Sequence, residues 1–303
     1  MSLIKSLLLF SKCPLYGGQA LINGVMMKGK KSYAISTYHQ NQIKTKVFPF
    51  KSLTRYKLLN LPFIRGIINL VEMLILGYKA LSYSSEESYT SEIQEEDQTS
   101  NAFGIAMIFS LFLSLILAVS LFKILPLFVA TTINNYFPLS SIWFNLVDGI
   151  TKLGIFIGYV YIIGRFEDIK DVFRYHGAEH KTINCYEAQK SLTVKNVQSY
   201  STKHLRCGTT FILLVLLISI ATYVFIPKTL PFFQNLGLRL ALLPLIASVS
   251  YELQRLTAKT NWFLLKLFLY PGLFLQSLTT NEPSIKHIRC GIEALEAVIK
   301  DEN

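Results

Sequence analysis

The sequence predicts a mainly α-helical membrane protein with about four transmembrane helices, accompanied by amphipathic or re-entrant helices and a small cytoplasmic β-hairpin region. Three observations lead there. Of the 303 residues, 51% are hydrophobic and only 16% are charged, against roughly 25% charged in soluble domains. Four apolar runs come near the ~20 residues that an α-helix needs to cross a bilayer. The formal charge of +11 is concentrated in a few segments, as the positive-inside rule expects of cytoplasmic loops. Such a charge also suits nucleic acid, but no RNP-type strand, zinc finger or basic heptad region accompanies it. Membrane lipid is the expected partner, and nucleic acid is not.

Residues 1–57 read as a cytoplasmic N-terminal region. The apolar run of "MSLIKSLLLFSK" is too short for a signal-peptide core before Lys12 interrupts it. The glycines of "YGGQALINGVMMKGK" lack Walker spacing and a strand-to-helix context, so they form no phosphate loop. They mark turns, or allow close backbone approach of this segment over a site. "KSYAISTYHQNQIKTKVFPF" alternates apolar and polar residues across a His-Gln-Asn-Gln turn, which predicts a β-hairpin.

Residues 58–83 predict an amphipathic interfacial helix. Arg65, Glu72 and Lys79 recur every seven residues, with Asn69 on the same stripe, so one narrow face is polar. Such a helix lies in the interface, packs on the bundle, or spans; spanning would place the lysine-rich N-terminus outside, against the charge rule. Residues 84–101 are acidic and poor in large apolar residues, and read as a flexible linker.

The membrane domain is expected over 102–278. Its spans are Ala102–Leu125, about Ile142–Ile163, Thr209–Ile226 and Leu236 to about Leu253. The segments after the first and third carry little positive charge, whereas the loop 165–207 holds eight Lys and Arg residues from Arg165 to Arg206. Both termini and that loop are therefore expected in the cytoplasm, on a multi-pass cell-membrane protein. "NWFLLKLFLYPGLFLQSLTT" is interrupted by Pro271-Gly272, which suits a re-entrant or interfacial element. Residues 279–303 read as a cytoplasmic tail. The four cysteines, Cys13, Cys185, Cys207 and Cys290, show no CxxC pairing and no disulfide framework.

The chemistry concentrates in "YHGAEHKTINCYE". His176, Glu179 and His180 form H-x-x-E-H. On a helix, His176 and His180 share a face one turn apart and can bind one metal ion, with Glu179 beside them as general base for a bound water. The same pattern is the inverted zinc-peptidase signature, completed by a third ligand elsewhere. His204 is one candidate for that ligand, in "KHLRCGTTF", where Cys207 could also offer a thiolate. Glu252 is the rival, its alternative being a salt bridge to Arg255; Glu187 is a weaker third choice. Arg206 would stabilise developing negative charge, or serve as a basic anchor at the helix mouth. Asp148 and Lys152, four apart inside the second span, suit a buried ion pair.

"GGQALINGVMMKG", "YHGAEHKTINCYE", "RCGTTF" and "PGLFLQSLTTNEP", in this order, resemble the YqhQ-like family of bacterial membrane proteins, over nearly the whole chain. The resemblance implies a metal-dependent enzyme with no settled reaction, resting on these histidines. Three departures stand out: Asn23 where the family has glutamate, His204-Leu205 where it has His-Pro, and a neutral-to-basic stretch after "LTT" where it is acidic. Together these readings give a metal-dependent hydrolase at the cytoplasmic membrane face, using zinc or a similar divalent ion. The alternative is a non-catalytic membrane assembly or scaffold factor that binds a partner protein or anionic lipid, with structural histidines. A transporter using Asp148 and Lys152 is the third, disfavoured for want of repeats.

Overall fold

A computed structural model of the chain describes residues 16–89, 100–259 and 270–303. The first described segment opens with strands over residues 17–49. Glycines and β-formers give β1 Gly17–Leu21, β2 Gly24–Lys28, β3 Ser32–His39 and β4 Gln42–Pro49, paired antiparallel in the order β1-β2-β3-β4. The expected hairpin is β3–β4. Its register pairs His39 with Gln42, leaving Gln40 and Asn41, both at positive φ, as the two-residue turn that matches strand twist. A second hairpin, β1–β2, forms where the sequence suggested only turns. Asn23 sits at its tip with φ 52°, a conformation that asparagine tolerates better than most residues.

The sheet alternates its side chains between two cores. Val25, Met27 and Ala34 face one, with Tyr175, Ile183, Leu295 and Val298. Leu21, Met26 and Ile35 face the other, under Leu76 and Ala80. The helix carrying Leu76 is α1, Ile64–Tyr89. It packs against the sheet on one side and the helix at Leu243–Lys259 on the other. It also continues into the segment expected as a linker; residues 90–99 of that linker lie outside the described ones.

The next helices are apolar. A helix, α2 (Ser100–Val119), passes through a π-turn at Ser120–Ile124 into α3 (Leu125–Tyr136), and α4 follows at Ser141–Ile163. After the loop come α5 (Glu167–Glu187), a short α6 (Val194–Gln198), α7 (Gly208–Tyr223), α8 (Phe232–Ala241) and α9 (Leu243–Lys259). Among the described residues three helical stretches are long and apolar enough to cross a membrane: Phe112–Tyr136, Ser141–Ile163 and Phe232–Thr257. Among those residues, three such stretches stand against the four crossings expected. Helix α7, expected as the third crossing, has 16 residues and rises only about 24 Å, short of a ~30 Å hydrocarbon core. Large apolar side chains such as Phe112, Leu115 and Leu117 are more than half exposed, an arrangement suited to lipid rather than water.

Three charges inside this region form one cluster. Lys152 Nζ donates to Asp148 Oδ2 at 3.1 Å, the expected i,i+4 pair. Arg239 from α8 also pairs with Asp148, and donates to Asn235 at 2.6 Å and Asn145 at 2.5 Å. Its guanidinium lies over the Tyr223 ring, 4.8 Å from the centroid, so α4, α7 and α8 meet at one polar knot.

Two helices close the fold. Helix α10, Tyr270–Thr279, contains Pro271 and Gly272. Residues 261–269 of the expected re-entrant stretch lie outside the described ones. Helix α11, Ile285–Glu302, corrects the expectation of a tail. Ile288, Leu295 and Val298 are fully buried, each contributing ~1.5–3 kcal/mol relative to exposure.

Candidate metal centre

Helix α5 places the H-x-x-E-H motif. Glu167 and Asp168 lie in its first turn, where negative charge complements the helix dipole. The helix runs through the motif without a break, so His176 and His180 stack one turn apart, ring centroids 4.4 Å from each other.

Both rings are oriented from behind by backbone. His176 Nδ1 donates to the Thr279 carbonyl at 2.8 Å, supplied by the end of α10. His180 Nδ1 donates to the Thr202 carbonyl at 2.6 Å, supplied by the loop before α7. A hydrogen bond at Nδ1 fixes the tautomer with its lone pair on Nε2, the arrangement that commonly supports metal-ligating histidines. His176 Nε2 lies 3.2 Å from Cys207 Sγ. His180 Nε2 is buried with no hydrogen-bond partner. The donor atoms of His176, His180 and Cys207 all lie within 4.8 Å of one another. Ligands on a tetrahedral zinc ion stand roughly 3.3–3.7 Å apart, so this set fits with little movement.

Cys207 is the N-cap of α7, its sulfur accepting the Thr209 N–H at 3.3 Å. Burial pushes its thiol up, but the His180 ring and Thr209 outweigh that and hold it below the ordinary value. The His180 ring acts here by proximity, since its Nε2 forms no hydrogen bond. Glu179 faces the same space. Burial raises its carboxyl to about 8, against the opposing pull of His176 and the Gly18 N–H. Gly18 of β1 covers this carboxylate so closely that a Cβ there would lie 2.8 Å from Glu179 Cγ. Of the two roles left open for the N-terminal glycines, Gly18 takes close approach over the site.

The remaining expected residues are placed otherwise. His204 is buried at the edge of the cluster, its ring centroid 5.7 Å from that of His180. Its Nε2 faces Glu187 at 3.4 Å, and its backbone is clamped by Gln276 at 2.9 and 2.7 Å. Arg206 forms an ion pair with Glu187. Burial raises the Glu187 carboxyl, but His204 and Arg206 overcome this and hold it at about 2. Glu252 is not in the cluster. It pairs with Arg65 of α1 rather than with Arg255, and accepts the Phe63 N–H at 3.3 Å. Helix α9 reaches the site through Gln254 instead, whose Nε2 donates to the Cys207 carbonyl at 3.1 Å. Of the candidates the sequence offered, Cys207 lies with the two histidines, His204 lies at their edge, and Glu252 lies elsewhere. Sequence pointed to the thiol only through its place beside His204 and Arg206; nothing in sequence pointed to the Thr202 and Thr279 carbonyls. Asn23, at its hairpin tip, does not line the site.

Beside the cluster opens a cavity of about 710 Å³, lined by His176, Glu179, His204, Arg206 and Cys207, by β1, and by parts of α1, α7 and α9.

Three helical stretches long and apolar enough to span a bilayer, with a His-His-Cys cluster beside the N-terminus of a neighbouring helix, suggest the class of membrane proteins. More specifically, residues 61–301 match the family described as "Protein of unknown function (DUF1385)", and the chain belongs to it. It is 35% identical over 299 residues to "Uncharacterized protein YqhQ" of Bacillus subtilis (strain 168), a match covering 95% of this chain and 93% of that relative. This bears out the YqhQ-like resemblance. No solved structure matches the chain.

Proposed function

We propose that this protein is a metal-dependent hydrolase acting at the cytoplasmic face of the cell membrane. The observation that carries the reading is His180 Nε2, a buried nitrogen without a partner, in a residue whose donor atom lies within 4.8 Å of those of His176 and Cys207. An unsatisfied buried polar atom costs about 1–3 kcal/mol, and a shared cation offsets that cost. A thiol–histidine nucleophilic pair would use His176 and Cys207 but leave His180 unexplained.

The residues that would hold the ion are His176, His180 and Cys207, beside the cavity that His176 and Cys207 line. One thiolate and two imidazoles favour zinc among common divalent ions. A metal in such a site acidifies bound water and polarises the bond to be cleaved. Glu179, adjacent and buried, would take a proton as general base and return it to the leaving group once a bound cation offsets the burial that raises its carboxyl. Arg206, steered by Glu187, faces the cavity as a fixed positive charge against negative charge developing on substrate. The cytoplasmic placement rests on the lysine and arginine content of the loop 165–207 that carries the motif.

Metal content of detergent-purified protein tests the reading. Wild type should carry close to one ion per chain. His176→Ala, His180→Ala and Cys207→Ala should each lose it, while Glu179→Gln keeps it. If wild type neither carries nor takes up metal, the hydrolase reading fails and the scaffold reading takes its place. Metal lost only with the histidines would return Cys207 to the nucleophile role.

A further inference from the structure

The cavity has two unlike sides. Its inner side is polar: His176, Glu179, Arg206 and Cys207. Its outer walls are apolar and come from two helices. Leu70, Met73 and Leu74 belong to α1, while Phe211 and Ile212 form part of the first turns of α7. The α1 wall does not stop at the cavity. Ile67, Val71, Leu74, Ile75 and Tyr78 are 37–64% exposed and spaced by three, four and seven residues, so they form one outward stripe. The opposite, polar face of α1 is held against α9, through Arg65 to Glu252 and Asn69 Nδ2 to Tyr251 at 3.1 Å. An apolar stripe on a helix anchored in this way, and adjoining the membrane helices, suits the headgroup–acyl boundary of a bilayer.

Charge marks the inner end. Lys28, at the end of β2, lines the cavity with its ammonium 4.2 Å from the centre of the Phe50 ring. It forms no salt bridge among the described residues; the nearby acids are engaged elsewhere, Glu72 by Ser52 and Leu53 and Glu302 by the Lys31 amide. With Arg206 it places two cations along the polar side.

We propose that the cavity admits an anionic membrane phospholipid, its hydrocarbon chains leaving between α1 and the first turns of α7 and its charged head lying toward Lys28 and Arg206 beside Glu179. As a statement of substrate class this rests on the hydrolase reading; as a statement of what occupies the cavity it does not. An extended peptide is the competing occupant. It is disfavoured because the walls offer apolar side chains and an outlet toward lipid.

The test uses the full chain reconstituted in phosphatidylcholine vesicles doped with tail-photoactivatable phosphatidylglycerol or, separately, phosphatidylcholine of the same tail, with labelled residues mapped by mass spectrometry. Wild type should be labelled at Leu70–Leu74 and Phe211–Ile212 more strongly by the phosphatidylglycerol probe. Lys28→Gln should reduce that preference about fivefold, the usual worth of one basic residue near an anionic membrane surface. Leu74→Trp, which fills the mouth from an exposed position, should lower labelling of α7 severalfold with metal content unchanged. His176→Ala, stripped of metal, should still be labelled, so loss of metal and loss of lipid are read separately. Labelling no stronger at the mouth than along the outer face of Phe112–Leu117, or displaced by an extended peptide but not by unlabelled phosphatidylglycerol, overturns the proposal.

Discussion

Single side chains decide what the histidine motif can do. His176 and His180 become a convergent pair because two backbone carbonyls, from Thr279 and Thr202, each fix one Nδ1. A third donor arrives because Cys207 caps α7, which turns its sulfur toward the histidines. Glu187 illustrates how the surrounding charges hold this geometry. Its carboxyl stands at about 2 in the folded protein, below the ordinary ~4.3 of a free glutamate. A depressed carboxylate contributes stability that is fully present above its unfolded pKa and fades as pH falls toward the folded one. Thermal unfolding in detergent should therefore show wild type exceeding Glu187→Gln by up to ~3 kcal/mol near pH 7. That gap should close between about pH 4.5 and pH 2. A gap independent of pH would refute the charge argument.

At the scale of elements, close helix approach sets the site. The segment after α10 crosses α5 at Gly177, where a Cβ would come within 2.1 Å of the Asn281 carbonyl oxygen. The same crossing is pinned by the Asn281 N–H donating to the Phe173 carbonyl at 2.9 Å. Gly177→Ala must push this segment away, and the Thr279 carbonyl that orients His176 moves with it. Overpacking of this kind destabilises by about 1–3 kcal/mol. The expected outcome is a lowered unfolding temperature together with weakened metal retention against a chelator, although no ligand is changed. A variant that unfolds earlier yet retains metal as wild type does would uncouple this crossing from the site. Element length matters equally. The sequence of α7 is apolar throughout, yet only 16 residues form the helix, because Cys207 is committed to the cluster at one end and the chain turns at Val224–Ile226 at the other.

The whole molecule combines a soluble layer of sheet, α5 and α11 with a layer of apolar helices. The second layer is locked by the Asp148, Lys152 and Arg239 knot. Removing one member of a buried ionic group leaves the others uncompensated and costs about 3–5 kcal/mol. Arg239→Leu should lower the unfolding temperature in detergent markedly while leaving the ion-to-protein ratio of the folded fraction unchanged. The double variant Arg239→Leu with Asp148→Asn should lose more still, since it leaves the buried Lys152 without the acid it pairs with. If the double variant is no worse than the single one, Asp148 is not what compensates Lys152.

The sequence by itself determined the class of protein, the apolar helices and the helical H-x-x-E-H motif. It also determined the β3–β4 hairpin and the Asp148–Lys152 pair. All of these depend on neighbours a few residues apart, where periodicity, turn chemistry and charge act locally. Tertiary structure decided the β1–β2 hairpin, the burial of α11 in the core, and the choice of Cys207 over His204 and Glu252. Those outcomes depend on contacts between residues far apart in the chain. Arg65 took Glu252, Glu187 took His204 and Arg206, and Thr202 and Thr279 aimed the two histidines, because a folded core gives each buried polar group a partner wherever the packing brings one within reach.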